Sequence, residues 1–293
     1  MDGVTIIVPV YNEEKYICEC ISELNAVILG LEKKGIKTEV LYINDGSTDQ
    51  TRYLLEKQTA QNTYTVINHS TNRGYGAALK TGVRNASYDA LCIIDADGTY
   101  PFHKIPELIE AYRNDKHDMV VGARINENVN IPWVRRPAKW FLTVLASFLA
   151  GIHIPDLNSG LRVMKACVVE KYLRIMPNGF SFTSTITLAM LTNDYQVLYM
   201  PIDYYERKGK SKIRPIQDTM NFLQLILRMI LYFDPLKIFL PLCLPILFFG
   251  FGLIAYQALV LHDIGTVSVI ISLAGIQLLA IGMIADIIDK RMG

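Results

Sequence analysis

The sequence predicts an α/β domain on a mostly parallel sheet, followed by two membrane-spanning helices. Between residue 1 and about residue 125, short apolar runs alternate with helix-sized segments, which is typical of a parallel sheet covered on both faces. The chain ends in two long uncharged runs, each of bilayer-spanning length. With 293 residues, 51% of them hydrophobic, it has ample apolar side chains for a buried core.

Five apolar runs in the first part of the chain are predicted to be strands, and three of them end in polar clusters. The clusters read "YNEE" after the first run, "DGSTD" after the second and "DADG" after the fourth. Ligands of parallel sheets bind at the carboxyl ends of the strands, so we expect the three clusters to form one site. The predicted strands are 4–10, 39–44, 64–68, 90–94 and 119–122.

The two C-terminal runs, 238–261 and 264–285, are predicted to cross the membrane as a hairpin. Only His262 and Asp263 separate them. Lys and Arg residues flank the outer ends but not this connection, which by the positive-inside rule predicts that both outer ends are cytoplasmic. The alternative is a buried hairpin of a soluble protein.

The predicted organisation is a globular domain over 1–214, a juxtamembrane amphipathic helix over 215–235 and the transmembrane hairpin over 236–293. Aromatic residues alternate with basic ones in 131–152, which favours a helix lying in the headgroup layer. An ordinary amphipathic core helix is the alternative for that segment.

The overall charge of +1 conceals a segregation along the chain. Carboxylates dominate the first half, whereas basic residues crowd 124–139 and 207–214, where they suit anionic membrane lipids. No nucleic acid partner is expected. The five cysteines lack paired C-x-x-C spacing, which argues against a disulfide framework or a zinc site. The sequence starts almost directly with a strand pattern, so we expect no cleaved signal peptide and a cytoplasmic catalytic part.

Asp95 and Asp97 are the candidate metal ligands. Residues i and i+2 of an extended chain face the same side, so both carboxylates can point at one spot, which is unfavourable unless a cation lies between them. Hard oxygen ligands suit Mg²⁺ or Mn²⁺, which would bridge a diphosphate. A plain polar turn after a strand is the alternative.

The cluster "NDGSTD" places Asp45 at a strand end, where it could accept hydrogen bonds from a base or ribose. Asp49 or Thr48 could instead cap the following helix. The segment "NRGYGAALKTG" is not a dinucleotide-binding motif, because Leu79 replaces the last glycine and the segment does not follow the first strand. A Walker P-loop is also absent from the sequence.

Seven motifs occur in a familiar order: "VPVYNEE", "NDGSTD", "NRGYGAALKTG", "DADGTYP", "GAR", "DLNSGLR" and "GKSK". On these motifs the chain resembles family 2 glycosyltransferases with the GT-A fold, a Rossmann-like, mostly parallel sheet. The likeness is greatest to polyprenyl-phosphate glycosyltransferases of the dolichyl-phosphate mannose synthase and GtrB-like group, over residues 4 to about 214. The two C-terminal runs resemble the membrane part of the GtrB-like members.

The resemblance implies a nucleotide-sugar donor, a polyprenyl-phosphate acceptor and a divalent cation, and it is compatible with a homo-oligomer. The chain departs from the family pattern at two positions. Thr99 stands where related synthases often carry a metal-binding Gln, and the motif that begins at Arg207 is one residue shorter than in those synthases. The implied nucleotide-sugar-binding residues are Pro9, Tyr11, Glu13, Asp45 and Asp95, and the implied catalytic residues are Asp95, Asp97, Asp156 and Arg162. The predicted acceptor-phosphate-binding residues are Arg124, Arg135, Arg136, Ser159, Arg162, Arg207 and Lys212.

The expected reaction is an inverting, metal-dependent transfer of a UDP- or GDP-linked sugar onto polyprenyl phosphate at the cytoplasmic membrane face. A phosphate monoester is largely ionised near neutral pH, so such an enzyme needs cations more than a general base. One alternative is a membrane polysaccharide or glycolipid synthase of the same fold with a hydroxyl acceptor. Another is a catalytically inactive membrane scaffold.

Overall fold

The computed structural model describes residues 2–59, 64–114, 117–125, 143–148, 150–179, 181–205, 235–263 and 265–292. The chain divides into two compact units, Met1–Ile213 and Arg214–Gly293. Most of the predicted interfacial segment 131–152 lies outside the described residues, although 143–148 are helical. The predicted juxtamembrane helix lies almost entirely outside them.

The N-terminal unit is built on a seven-stranded sheet of order β3-β2-β1-β4-β6-β5-β7. Neighbouring strands pair in parallel except for β6, which runs antiparallel to both β4 and β5. This confirms the predicted α/β class and all five predicted strands. The strands are β1 (Gly3–Val10), β2 (Lys37–Asn44), β3 (Thr65–Asn68), β4 (Ala90–Ile93), β5 (Met119–Ala123), β6 (Arg162–Lys165) and β7 (Val197–Pro201).

The antiparallel direction of β6 determines which residues meet at the functional edge. Arg162, the first residue of β6, pairs with Ile93 at the end of β4 and with Val121 near the end of β5. The segment that precedes β6 therefore joins the carboxyl ends of the parallel strands. Side chains of β1 such as Ile6 and Ile7 are fully buried on opposite faces, as expected for a central strand covered on both sides.

Helices cover the sheet, and their apolar spacing explains how they pack. In the first helix, buried residues recur every three or four positions, including Ile17, Ile21, Leu24 and Leu31. The last helix of this unit is buried throughout despite its hydroxyl side chains. The helices are α1 (Ile17–Lys33), α2 (Thr51–Thr59), α3 (Tyr75–Asn85), α4 (Ile105–Asn114), α5 (Ala166–Tyr172) and α6 (Phe182–Leu191).

The C-terminal unit is a hairpin of two long apolar helices. Helix α7 (Pro235–Tyr256) continues as a π-helical turn (Gln257–Leu261), and α8 (Thr266–Met292) returns beside it. The candidate spans are Pro235–Leu261 and Thr266–Ile288, with only 11% and 22% of their most apolar windows buried. Such low burial fits helices surrounded by lipid better than core helices of a soluble protein.

Glycines allow the two helices to approach closely. A Cβ on Gly250 would lie 2.6 Å from Ser272 Oγ and 2.8 Å from the Ser272 nitrogen. A Cβ on Gly275 would lie 2.7 Å from Leu247 Cδ2. Small residues at helix contacts are the usual way in which membrane helices pack.

We predict that Gly250→Leu destabilises the hairpin by about 1 to 3 kcal/mol, because the added side chain must displace the backbone of Ser272. The matched control is Gly252→Leu, two residues along the same helix, where an added Cβ meets nothing within 4 Å. Thermal unfolding of the full chain in detergent measures the difference. Equal melting temperatures for the two variants would contradict the packing described here.

Candidate active site

Hydrogen bonds join the loops that follow β1 and β2. The Asn12 nitrogen donates to Ser47 Oγ over 3.0 Å, and the Thr48 nitrogen donates to Asn12 Oδ1 over 2.8 Å. Asp49 Oδ1 accepts from the nitrogen of Thr51, the first residue of α2, over 3.0 Å. The capping role considered for Asp49 is therefore present, and most of the polar "NDGSTD" cluster holds the two loops together.

Asp45 follows β2 directly and is only 3% exposed. Its Oδ1 accepts from the Arg73 nitrogen over 3.0 Å, and its Oδ2 accepts from the Gly74 nitrogen over 2.8 Å. Gly74 has a φ of +100° and precedes α3, a conformation that favours glycine. The carboxylate thus fixes the chain that enters α3, and its predicted contact with a base or ribose stays a prediction.

His69 is a buried partner of Asp45 that sequence analysis missed. Its Nδ1 lies 2.7 Å from Asp45 Oδ1 and its Nε2 lies 2.9 Å from Thr81 Oγ1. Because Asp45 already accepts backbone N–H groups, we assign Nδ1 as the donor in this pair. The parallel register places Asn44 beside Asn68 at the ends of β2 and β3, so Asp45 and His69, which follow these strands, become neighbours.

Asp95 and Asp97 lie just beyond the end of β4, and both are half-buried. The Tyr75 hydroxyl donates to Asp95 Oδ1 over 2.8 Å. Burial, together with the nearby Asp95 carboxylate, raises the pKa of Tyr75 well above its ordinary value, so the hydroxyl keeps its proton. Thr99, which stands in place of the expected Gln, donates its hydroxyl to Asp97 Oδ1 over 2.6 Å. Both aspartates are therefore oriented by neutral hydroxyl groups.

The Asp95 carboxylate packs directly against Gly160. A Cβ at this position would lie 2.3 Å from Asp95 Oδ2, so only glycine fits without moving the carboxylate. The Gly160 nitrogen donates to the Tyr100 hydroxyl oxygen over 2.6 Å. The loop before β6 is in this way attached to the aspartate loop.

Arg124, the first residue after β5, forms a bidentate ion pair with Asp156. Arg124 Nε donates to Asp156 Oδ2 over 2.7 Å, and Nη2 donates to Oδ1 over 2.8 Å. The Asp156 side chain is 0% exposed and that of Arg124 is 14% exposed. Burial alone would lower the pKa of Arg124, but the hydrogen bonds to Asp156 raise it overall. Asp156 therefore orients Arg124, whose guanidinium carbon also lies 5.1 Å from the centroid of the Tyr204 ring.

Ser159 and Arg162 are fully buried rather than lining an open surface. The Ser159 hydroxyl donates to the Gly122 carbonyl over 2.6 Å. Arg162 donates through Nε to the Ser159 carbonyl over 3.0 Å and through Nη1 to Thr187 Oγ1 over 2.9 Å. Burial lowers the pKa of Arg162. Both residues hold the loop before β6, and their predicted contact with the acceptor phosphate stays a prediction.

Residues 5–173, more than half of the chain, match the sequence model of glycosyl transferase family 2. The chain belongs to glycosyl transferase family 2. Residues 234–290 match the model of the GtrB C-terminal hairpin. The sequence resemblance is thus confirmed for both units, and this family 2 chain is a glycosyltransferase.

Two curated relatives and one solved structure illustrate the likeness. The chain is 27% identical over 215 residues to the dolichyl-phosphate hexose transferase of Haloferax volcanii, covering 73% of this chain and 88% of that protein. It is 27% identical over 220 residues to the undecaprenyl-phosphate mannosyltransferase of Micrococcus luteus, covering 72% and 87%. Glucosyl-3-phosphoglycerate synthase of Mycobacterium tuberculosis, solved with Mn²⁺, uridine diphosphate and phosphoglyceric acid, superposes with a TM-score of 0.60 at 15% identity over 78% of each chain. The last comparison concerns the fold alone.

The aspartate pair of this family 2 chain fits a divalent cation. Asp95 and Asp97 are two half-buried carboxylates separated by one residue, and among the described residues no group of three or more His, Cys, Asp or Glu side chains could hold a metal ion. Mg²⁺ commonly binds proteins through one or two carboxylates and takes its other ligands from water and substrate phosphates. The donor set therefore suits an ion that arrives with a diphosphate.

The remaining predicted site residues are Pro9, Tyr11, Glu13 and four basic residues. Pro9 lies in β1 and is half-buried, and Tyr11, which follows β1, is 39% exposed. The Glu13 nitrogen donates to Thr51 Oγ1 over 2.9 Å. The four basic residues that lie outside the described residues are Arg135, Arg136, Arg207 and Lys212.

Proposed function

We propose that the protein transfers a sugar from a UDP- or GDP-linked donor to a polyprenyl phosphate, with inversion at the anomeric carbon. The observation that carries the proposal is the union, in one chain, of a family 2 catalytic domain with a GtrB C-terminal hairpin. The names of the relatives support it, since the two described above act on dolichyl phosphate or undecaprenyl phosphate.

On the donor side, we assign the nucleotide to the loops after β1 and β2. Tyr11 offers an exposed ring and Asp45 a rigid carboxylate, so the nucleoside would meet groups that are already ordered. Asp95 and Asp97 would hold Mg²⁺ or Mn²⁺ beside the diphosphate. A bound divalent cation would neutralise the negative charge that develops on the departing nucleoside diphosphate.

On the acceptor side, we assign the lipid phosphate to the region of Arg124. An oxygen of the anionic phosphate attacks the anomeric carbon of the sugar while the bond from that carbon to the diphosphate oxygen breaks. The nucleophile is already ionised, so no protein group has to remove a proton from it. Arg124 would contribute a charge-assisted hydrogen bond to the phosphate.

Asp156 is assigned as a positioning residue rather than a general base. It is fully buried and accepts three hydrogen bonds from Arg124, including one from the backbone nitrogen over 3.0 Å. A base must reach the proton that it removes, and these contacts occupy Asp156 within the protein. We assign Arg162 a similar positioning role, through the carbonyl of Ser159.

At the membrane, we propose that both termini and the catalytic unit are cytoplasmic and that the connection at His262 is on the opposite side. Lys237 lies in the first turn of the first span and Lys290 follows the second, whereas the connection carries no Lys or Arg. The basic segments 124–139 and 207–214 would favour anionic headgroups on the same side.

The two rival functions have less support. A polysaccharide synthase needs a base for a hydroxyl acceptor, and helix α6 with its preceding loop carries no acidic residue in "GFSFTSTITLAM". The two candidate spans found in the described part of the chain are also too few to line a pore. An inactive scaffold would not require the ordered carboxylates of Asp45, Asp95 and Asp97. Metal-dependent binding of a nucleotide-sugar would separate an enzyme from a scaffold.

The metal assignment predicts that EDTA abolishes transfer, that added Mg²⁺ or Mn²⁺ restores it, and that Asp95→Asn and Asp97→Asn are inactive.

Gly160→Ala should weaken Mn²⁺ binding about 10-fold to 100-fold while the protein stays folded, because the new methyl group displaces only the end of the Asp95 side chain. The control is Gly179→Ala, where an added Cβ meets nothing within 4 Å. Paramagnetic resonance of Mn²⁺ with nucleoside diphosphate measures binding. Full activity in excess chelator would refute the metal role.

The acceptor assignment predicts that polyprenyl phosphate is glycosylated and that the matching polyprenol is not. Arg124→Ala should lower kcat/KM about tenfold to a hundredfold through loss of a charge-assisted contact. The control is Arg113→Ala, an exposed arginine at the end of α4. Asp156→Asn should mainly raise KM for the lipid, whereas a loss of about 10² to 10⁴ confined to the chemical step would indicate a base. Comparable transfer to the alcohol would overturn the mechanism.

The topology predicts that a reporter at either terminus reads cytoplasmic and that one at His262 reads exterior. Fusion reporters active on only one side of the membrane measure this in whole cells. Opposite readings at the two termini would mean that only one of the two helices crosses the bilayer.

A further inference from the structure

Tyr204, which follows β7, contacts the guanidinium group of Arg124 through its aromatic ring. The guanidinium carbon lies over the ring, 5.1 Å from the ring centroid. A cation at this distance is attracted by the negative face of an aromatic ring. Arg124 is therefore held by two groups of different chemistry, the carboxylate of Asp156 and the ring of Tyr204.

The ion pair with Asp156 uses only one edge of the Arg124 guanidinium. The carboxylate accepts from Nε and from Nη2, which leaves the second N–H of Nη2 and both N–H groups of Nη1. Nη1 forms no hydrogen bond with the described residues, and the atom is not enclosed by the protein. Nη1 and Nη2 thus present two parallel N–H groups, an arrangement that suits two oxygens of one phosphate.

Backbone hydrogen bonds on both sides of Tyr204 fix its position. The Ile202 nitrogen donates to the carbonyl of Ala123, the last residue of β5, over 2.9 Å. The Tyr205 nitrogen donates to the carbonyl of Thr99, in the loop after β4, over 2.9 Å. The backbone that carries the Tyr204 ring is therefore attached both to the end of β5 and to the loop that contains the aspartate pair.

A second tyrosine supports the ring of Tyr204. The rings of Tyr100 and Tyr204 meet edge to face, with their centroids 5.3 Å apart and their planes at 73°, a favourable geometry for an aromatic pair. Tyr100 is only 3% exposed, and its hydroxyl oxygen accepts from the Gly160 nitrogen over 2.6 Å. The Tyr204 ring thus packs against a buried side chain that is itself held in place.

We propose that Tyr204 is a positioning residue for the acceptor phosphate, because its ring holds Arg124 with the Nη1–Nη2 edge available to the phosphate oxygens. The inference rests on the proposed function and deepens its assignment of Arg124 to the lipid phosphate. A free arginine side chain loses conformational freedom when it binds a ligand, whereas one that is already held by two groups loses less. The face of the ring provides this effect, so the Tyr204 hydroxyl is not required for it.

The test measures KM for polyprenyl phosphate and KM for the nucleotide-sugar with the full chain in lipid vesicles. Tyr204→Leu should raise KM for the lipid about threefold to thirtyfold and leave KM for the donor unchanged. Tyr204→Phe keeps the ring and should stay within about twofold of the parent. The control is Tyr53→Leu, which removes an exposed ring that lies 6.0 Å from Lys57 Nζ on α2 and should change neither constant.

A second series keeps the shape of the ring, in case the leucine variant folds poorly. Residue 204 is replaced by phenylalanines that carry one, two or three ring fluorines, which withdraw electron density from the face of the ring. KM for the lipid should rise with each added fluorine. In an Arg124→Ala background the same replacements should have no further effect, because Tyr204 acts through Arg124.

Three results would overturn the positioning role of Tyr204. They are an unchanged KM for the lipid in a folded Tyr204→Leu variant, a KM that does not respond to the fluorines, and an undiminished effect of the series in the Arg124→Ala background. If Arg124→Ala itself leaves KM for the lipid and kcat/KM unchanged, the assignment of Arg124 to the acceptor phosphate is refuted together with the role of Tyr204. The two failures are thus distinguishable.

Discussion

At the end of β2, the carboxylate of Asp45 accepts the backbone nitrogens of Arg73 and Gly74 and the ring of His69. These bonds fix the point where α3 begins, and the first residue of that helix, Tyr75, holds Asp95. Asp45, in the proposed nucleotide-binding part of the site, therefore also helps to position Asp95 in the proposed metal-binding part. Loss of this carboxylate would leave buried donors unpaired, at a cost of about 1 to 3 kcal/mol each.

The two buried arginines show two ways of accommodating a charge inside the protein. Arg124 is neutralised by the carboxylate of Asp156 and keeps a fraction of its surface open. Arg162 is fully buried, and the contacts described for it are with carbonyl, hydroxyl and sulfur atoms, including those of Ser159 and Thr187. Oriented carbonyl dipoles replace the water that a buried guanidinium loses. Arg162 therefore fixes the loop before β6, whereas Arg124 can face a ligand.

The sequence was sufficient for the strand ends and for the membrane hairpin, because both depend on local patterns of apolar residues. It did not predict β6, whose reversed direction is a property of the whole sheet. The motif that contains Arg162 did not reveal that its side chain is fully buried, because burial depends on how α6 packs against the sheet. The role of His69 was missed for a similar reason, since it follows from the register of β3 beside β2.

Under the proposed reaction, a phosphate approaches a site that already contains several carboxylates, so their charges must be compensated. Asp156 is paired with Arg124, and Asp45 is surrounded by donors. The Tyr75 hydroxyl donates to Asp95, and the hydroxyl and backbone nitrogen of Thr99 donate to Asp97, so neutral groups orient both carboxylates. Two anionic substrates and these two carboxylates can be brought together only with added positive charge. A divalent cation held by Asp95 and Asp97 would supply that charge beside the departing diphosphate, and Arg124 would supply it beside the acceptor phosphate.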